Sequence, residues 1–159
     1  MIKLTEIVPE HAIVAPLTAT DRDGVVRELI MAATRAGAAP AALADELITR
    51  VLDREKRGST GFGRGVAVPH VKHKAVEKMA AAVGLAPAGV DFNSLDKQPV
   101  YSVFLLLSPE DRPEEHLQAM EVIFKNLSKD TFRRFLRQAR SAAEVRTLLE
   151  EADGQHLVG

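Results

Sequence analysis

The chain has 159 residues, no cysteine and a formal net charge of -1. Its length suits one domain with a sizeable core, the missing thiols exclude disulfides, thiolate zinc sites and cysteine nucleophiles, and the near-neutral charge argues against a nucleic-acid partner. The opening MIKLTEIVPEHAIVAPL carries Glu6 and Glu10 and has no long apolar run, and no stretch is apolar over bilayer length, so a cytoplasmic protein without membrane insertion is expected.

In chain order, Ile13-Val14 lies between Pro9 and Pro16 and reads as an edge strand. Thr20 or Asp21 then caps a helix whose apolar face is Val25, Val26, Leu29, Ile30 and Ala33, ending at Gly37. Pro40 opens a second helix, with Leu43, Leu47, Ile48, Val51 and Leu52 as its buried stripe, fading near Glu55. Val66-Ala67-Val68 reads as a strand. Met79 to Leu85 reads as another: its alanines also admit a helix, but Gly84 and Pro87 favour the strand. Pro99 to Leu107 is the clearest strand, and its near-continuous apolar run implies burial on both faces.

Pro113-Glu114-Glu115 opens a helix whose apolar face is Leu117, Met120, Ile123, Phe124 and Leu127. Two shorter helices follow over 131–139 and 142–151, with Ser141 capping the last. From Asp153 the chain loses periodicity, so the expected division is a single domain over 1–152 and a flexible tail over 153–159. Short loops join the middle strands, which predicts a mixed sheet. The expected architecture is α/β (α+β in strict terms), a three-layer sandwich with helices on both faces of a central mixed sheet.

The stretch GSTGFGRGVAVPH, from Gly58 to His70, is the most unusual part of the chain. Its glycines fit neither a dinucleotide fingerprint, which follows a strand and opens a helix, nor a P-loop, which needs a Lys-Ser/Thr pair. A bendy surface loop is the bland reading. The functional one is an anion cradle: backbone N–H groups of Gly61, Gly63 and Gly65, the Ser59 and Thr60 hydroxyls, and charge from Arg54, Arg57 and Arg64. Pro69 fixes its own φ and keeps Val68 extended, presenting His70 from a strand end in a defined direction. A neutral imidazole there can accept a phosphoryl group. A merely exposed histidine is the competing reading. A metal pair of His70 and His73 has no adjacent carboxylate or further histidine, so no metal site is assigned. Lys72 and Lys74 read as a solvated or partner-facing patch.

Ser59 to His70 resembles the active-site signature of type 2 enzyme IIA domains of the bacterial phosphotransferase system, the fructose/mannitol/nitrogen-regulatory class. The resemblance continues through GVDFNSLDKQPVYSVFLLLSP and at Glu115-His116-Leu117, and spans roughly Leu4 to Leu149. It implies that His70 is the phosphoryl carrier and that His116 stabilises the phosphoryl group or orients the ring. Arg54 would pair with its charge, although Arg57 is equally near in sequence. Two places depart from the family pattern: Val71-Lys72-His73-Lys74 after the histidine, and the helix continuing as Gln118-Ala119-Met120-Glu121-Val122-Ile123-Phe124.

The resemblance further implies receipt of phosphate from the histidine-containing phosphocarrier protein, with no cofactor. The acceptor would be a IIB domain in sugar uptake, or the two phosphorylation states would bind a regulated partner differently. The expectation is a nitrogen-regulatory role, with a sugar-specific IIA component as the alternative.

Overall fold

Val100–Pro109, the strand most legible in the sequence, forms the middle of a mixed sheet in the computed structural model, which describes residues 2–154. In chain order the elements are α1 (Leu4–Ile7), β1 (Ile13–Val14), α2 (Arg22–Arg35), α3 (Ala44–Arg57), β2 (Gly61–Gly63), β3 (Val66–Ala67), β4 (His70–His73) and β5 (Ala80–Val90). They continue with β6 (Val100–Pro109), α4 (Pro113–Leu127), α5 (Asp130–Gln138) and α6 (Ala142–Asp153). β5 pairs antiparallel with one side of β6, and β1 lies parallel beyond it. The other side of β6 pairs in parallel with both β3 and β4, and β2 is antiparallel to β3.

Side chains of β6 alternate between two cores. Val103, Leu105 and Leu107 join Leu29, Ile30, Leu47 and Val51 of α2 and α3. Phe104 and Leu106 join Ile123 of α4, Phe132 and Leu136 of α5, and Leu149 of α6. Burying each such side chain contributes about 1.5–3 kcal/mol, which is why the run needs no polar alternation. The expected mixed sheet with several helices is what the chain forms.

β3 and β4 are one strand in register. Val66 faces Ser102, Ala67 faces Val103, His70 faces Leu106 and Val71 faces Leu107. Between them Pro69 has no N–H to give the ladder, but its carbonyl still accepts from Leu106 N at 2.9 Å. The sequence expectation ends this strand at Val68, whereas His70–His73 continues it as a ladder partner of β6, with Val71 and His73 buried; Lys72 and Lys74, read as a solvated or partner-facing patch, are both exposed.

Other boundaries differ for local reasons. Asp21 caps α2 by accepting from Gly24 N at 2.8 Å, and Ser141 caps α6 by accepting from Glu144 N at 3.2 Å. Pro40 begins a 3-10 turn over Ala41–Leu43, and α3 itself starts at Ala44 and runs past Glu55 to Arg57. β5 continues through Pro87 to Val90 because the register slips between Leu85 and Val90, leaving Pro87 and Ala88 exposed and outside the ladder.

The buried face of α4 is His116, Ala119, Ile123, Asn126 and Leu127, while Leu117 is 66% exposed. The expected stripe was therefore rotated by about one position, since two polar residues occupy the inward side. Asp153, where the expected tail over 153–159 begins, instead ends α6 and accepts from Leu4 N, Thr5 N and Thr5 Oγ1, which ties it to α1; residues 155–159 of that tail lie outside the described residues.

Candidate active site

The glycine stretch forms a hairpin that is fastened at several points. Gly63 pairs with Val66, leaving Arg64 and Gly65 as a two-residue turn with φ of 59° and 78°, the double positive sign a type I′ turn requires. A Cβ on Gly65 would lie 2.9 Å from Cδ2 of Tyr101, so glycine is demanded by packing as well as by backbone sign. The Gly65 carbonyl accepts from Tyr101 N and Ser102 N, the Gly61 carbonyl accepts from Leu95 N, and Arg64 N donates to Asp96. Ser59 Oγ donates to the Phe92 carbonyl and accepts from Gly61 N. Thr60 is fully buried and donates its N–H and hydroxyl to Glu55, itself buried in α3. The two hydroxyls expected to meet a phosphoryl group therefore hold the hairpin in place.

Val68 N donates to the Thr60 carbonyl, away from β6, at 3.1 Å. Past Gly61 β2 offers no further ladder partner, and the Val68 carbonyl accepts from His70 Nδ1 at 2.9 Å. A carbonyl only accepts, so the His70 ring carries its proton on Nδ1 and, when neutral, its lone pair on Nε2. The ring is half-buried at the start of β4. It is thus oriented by its own backbone, two residues back.

His116 lies in the first turns of α4, and its ring centroid is 5.6 Å from that of His70, with the planes tilted by 57°. Its Nδ1 is 2.6 Å from Oγ of Ser108, a fully buried residue near the end of β6. Burial, then the nearby positive charges of Lys72 and His70, lower its pKa from 6.5 to about 4. At neutral pH it is an uncharged imidazole, able to give one N–H to a phosphoryl oxygen.

On the α3 side, His70 opens onto a recess of about 400 Å³ lined by Arg50, Asp53, Arg54, Arg57, Val71 and Lys72. Four cations against one carboxylate give the recess an excess of positive charge. Arg50 Nη1 donates to the Lys72 carbonyl at 3.3 Å, and Arg54 Nη1 to the Gly58 carbonyl at 2.7 Å. Gly61, Gly63 and Gly65 do not line this recess; side-chain cations do. The sequence reading gives Lys72 only as part of a solvated or partner-facing patch and does not single out Arg50. Lys72 shares a strand face with His70 two residues away, and Arg50 precedes Arg54 by one helical turn, so both spacings were available as signals.

His73 takes a separate part. Its Nδ1 accepts from Ala75 N at 2.9 Å and its Nε2 bonds Glu46, the first turn of α3, so both ring nitrogens are occupied by protein. That contact also holds the Glu46 carboxyl below its ordinary range. A cleft between α4, Ile2-Lys3 and the end of α6 has Lys3, Lys125 and Lys129 on its walls and, among the described residues, no histidine.

The mixed sheet brings two histidines together beside a cationic recess. The phosphoenolpyruvate-dependent sugar phosphotransferase system EIIA 2 model matches residues 6–152, and the chain belongs to that family, in its fructose/mannitol/nitrogen-regulatory class. It is 35% identical to a nitrogen regulatory protein of Bradyrhizobium diazoefficiens over 92% of this chain and 94% of that protein. It is 30% identical to the fructose-specific EIIABC component of Bacillus subtilis over 96% of this chain, but spans only 24% of that longer protein. The crystal structure of nitrogen regulatory protein IIA-Ntr from Neisseria meningitidis superposes with a TM-score of 0.82 at 31% identity, covering 91% of this chain and 97% of that one.

Proposed function

We propose that this three-layer protein is a cytoplasmic phosphoryl carrier that accepts a phosphoryl group on His70 Nε2 from the histidine-containing phosphocarrier protein, and that its phosphorylation state serves nitrogen regulation. The observation carrying the proposal is the His70 hydrogen bond to the Val68 carbonyl, which leaves Nε2 as the nucleophilic nitrogen beside a cationic recess. Transfer forms a P–N bond at His70 Nε2 as the P–N bond on the donor histidine breaks, and the donor nitrogen keeps the electron pair. Such a step asks the protein for alignment and charge stabilisation. Arg54, Arg57 and Lys72 supply charge, and neutral His116 supplies an N–H. No cofactor enters.

The regulatory reading draws support from similarity along nearly the whole length of a nitrogen regulatory protein. A sugar-specific component passing phosphate to a IIB domain is the second reading, favoured by the fructose-specific relative. A dianion added beside His116 and the arginines is a large enough local change to alter an interface in either case.

The test is incubation with phosphoenolpyruvate, enzyme I and the phosphocarrier, followed by intact mass. Wild type should gain one acid-labile phosphoryl group and His70→Ala none. Equal labelling of both proteins, or no labelling of wild type, would sink the carrier reading. Onward transfer to a purified fructose-type IIB domain would favour the sugar reading over the regulatory one.

A further inference from the structure

His116 has Nδ1 engaged by Ser108 and Nε2 without a hydrogen-bond partner among the described residues, its ring centroid 5.6 Å from that of His70, and which nitrogen bears the proton decides what it can do. If the proton were on Nδ1, it would be donated to Ser108 Oγ, and Nε2 would present a lone pair that repels phosphoryl oxygens. If it is on Nε2, Nδ1 must be receiving a hydrogen bond. Ser108 is fully buried, and its Oγ has no hydrogen-bond partner other than His116 Nδ1 among the described residues. Were Oγ to accept from Nδ1–H, its own proton would be buried without an acceptor, at the cost of an unmade bond. Only when Ser108 donates are both groups satisfied.

We infer that Ser108 is a positioning residue: its hydroxyl donates to His116 Nδ1 and thereby holds the His116 proton on Nε2, as a donor to a phosphoryl group on His70. The two rings then have opposite tautomers. His70, pinned by the Val68 carbonyl, offers a lone pair on Nε2; His116, pinned by Ser108, offers an N–H on Nε2. One receives the phosphorus and the other receives an oxygen. Ser108 sits opposite Lys72 and two residues beyond Leu106, the ladder partner of His70, so β6 sets its place relative to both. Nothing in the chain's local sequence marks it, because it lies at the end of an apolar strand and reads as a stop.

The second half of this inference rests on the carrier reading; the first does not. The test is therefore imidazole ¹⁵N NMR of unphosphorylated, ¹⁵N-histidine-labelled protein at pH 7, for wild type, Ser108→Ala and Ser108→Thr. Wild-type His116 should show its proton on Nε2, Ser108→Thr should keep that pattern, and Ser108→Ala should redistribute the proton toward Nδ1, with the backbone spectrum elsewhere unchanged. A wild-type proton on Nδ1, or an unchanged tautomer in Ser108→Ala, would overturn the assignment whether or not the protein carries phosphate. In the transfer assay Ser108→Ala should be slowed about tenfold, less than the roughly 100-fold worth of the donor itself because His116 keeps its proton on Nε2 part of the time, with Ser108→Thr near wild type. Equal rates for Ser108→Ala and wild type, with wild type phosphorylated normally, would overturn the functional half alone.

Discussion

Glu55, in the last turn of α3, accepts both the N–H and the hydroxyl of Thr60, and the two residues are buried together. A buried carboxylate is costly unless hydrogen-bonded, so this pair works as a clamp between the helix that carries Arg50, Arg54 and Arg57 and the hairpin that leads to His70. Thr60→Val keeps the shape and removes one donor. It should destabilise by about 1–3 kcal/mol, the cost of an unsatisfied buried acceptor, read as a lower urea midpoint at unchanged slope.

Gly65→Ala meets two penalties at once, a φ of 78° and a Cβ 2.9 Å from the Tyr101 ring. Gly37→Ala meets only the first, since its φ is 84° but its Cβ direction is empty to 4 Å. Both should destabilise, Gly37→Ala by about 1 kcal/mol and Gly65→Ala by more. Equal midpoints for the two variants would remove Tyr101 from the explanation.

The His116 shift has a definite sign for stability. Its folded pKa of about 4 lies below the ordinary 6.5, so between these values the unfolded chain binds more protons than the folded one. Stability should fall as pH drops from 6.5 toward 4, and be unaffected by this group above that window. Glu46, held below its ordinary 4.5 chiefly by the His73 hydrogen bond, gives stability that is full above that value and is lost at lower pH still. A His116→Asn variant should lose the pH dependence between 6.5 and 4, measured by urea midpoints across that range, and should slow phosphoryl transfer about 100-fold.

Arg54 and Arg57 are separable by experiment. Arg54 also holds the Gly58 carbonyl at the end of α3, so Arg54→Ala should lower both the urea midpoint and the transfer rate. Arg57, an exposed recess residue, should affect transfer alone: Arg57→Ala is expected within ±0.5 kcal/mol of wild-type stability and slower in transfer by about tenfold. Transfer that is unchanged in both would move the anion site away from this recess.

The sheet's centre and most helices were legible because they depend on local pattern: β6 by its apolar run, α2 and α6 by Asp21 and Ser141, α4 by Pro113 at its first turn. β4 was not, because four residues alternating His, Val, Lys and His become a strand only when β6 supplies the ladder, and His73 is buried only because Glu46 meets it from 27 residues away. His70, the proposed phosphoryl acceptor, is singled out in the sequence by its proline and glycines. The surroundings were less so: Ser59 and Thr60 looked like ligand donors, and their true partners, Phe92 and Glu55, are fixed by tertiary packing. Lys72, Arg50 and Ser108 reach the site by the meeting of β4, α3 and β6, which no single segment announces.

The unbroken register across Pro69 makes the site a matter of counting. Val66 and Val68 turn their side chains into the core shared with α4, and His70 is the next even step along the same pleat, which brings it to His116. A single residue inserted between Val68 and His70 would leave the motif's composition nearly intact and send the imidazole to the opposite side of the sheet. What must be kept in this stretch is therefore a parity as much as a set of residues.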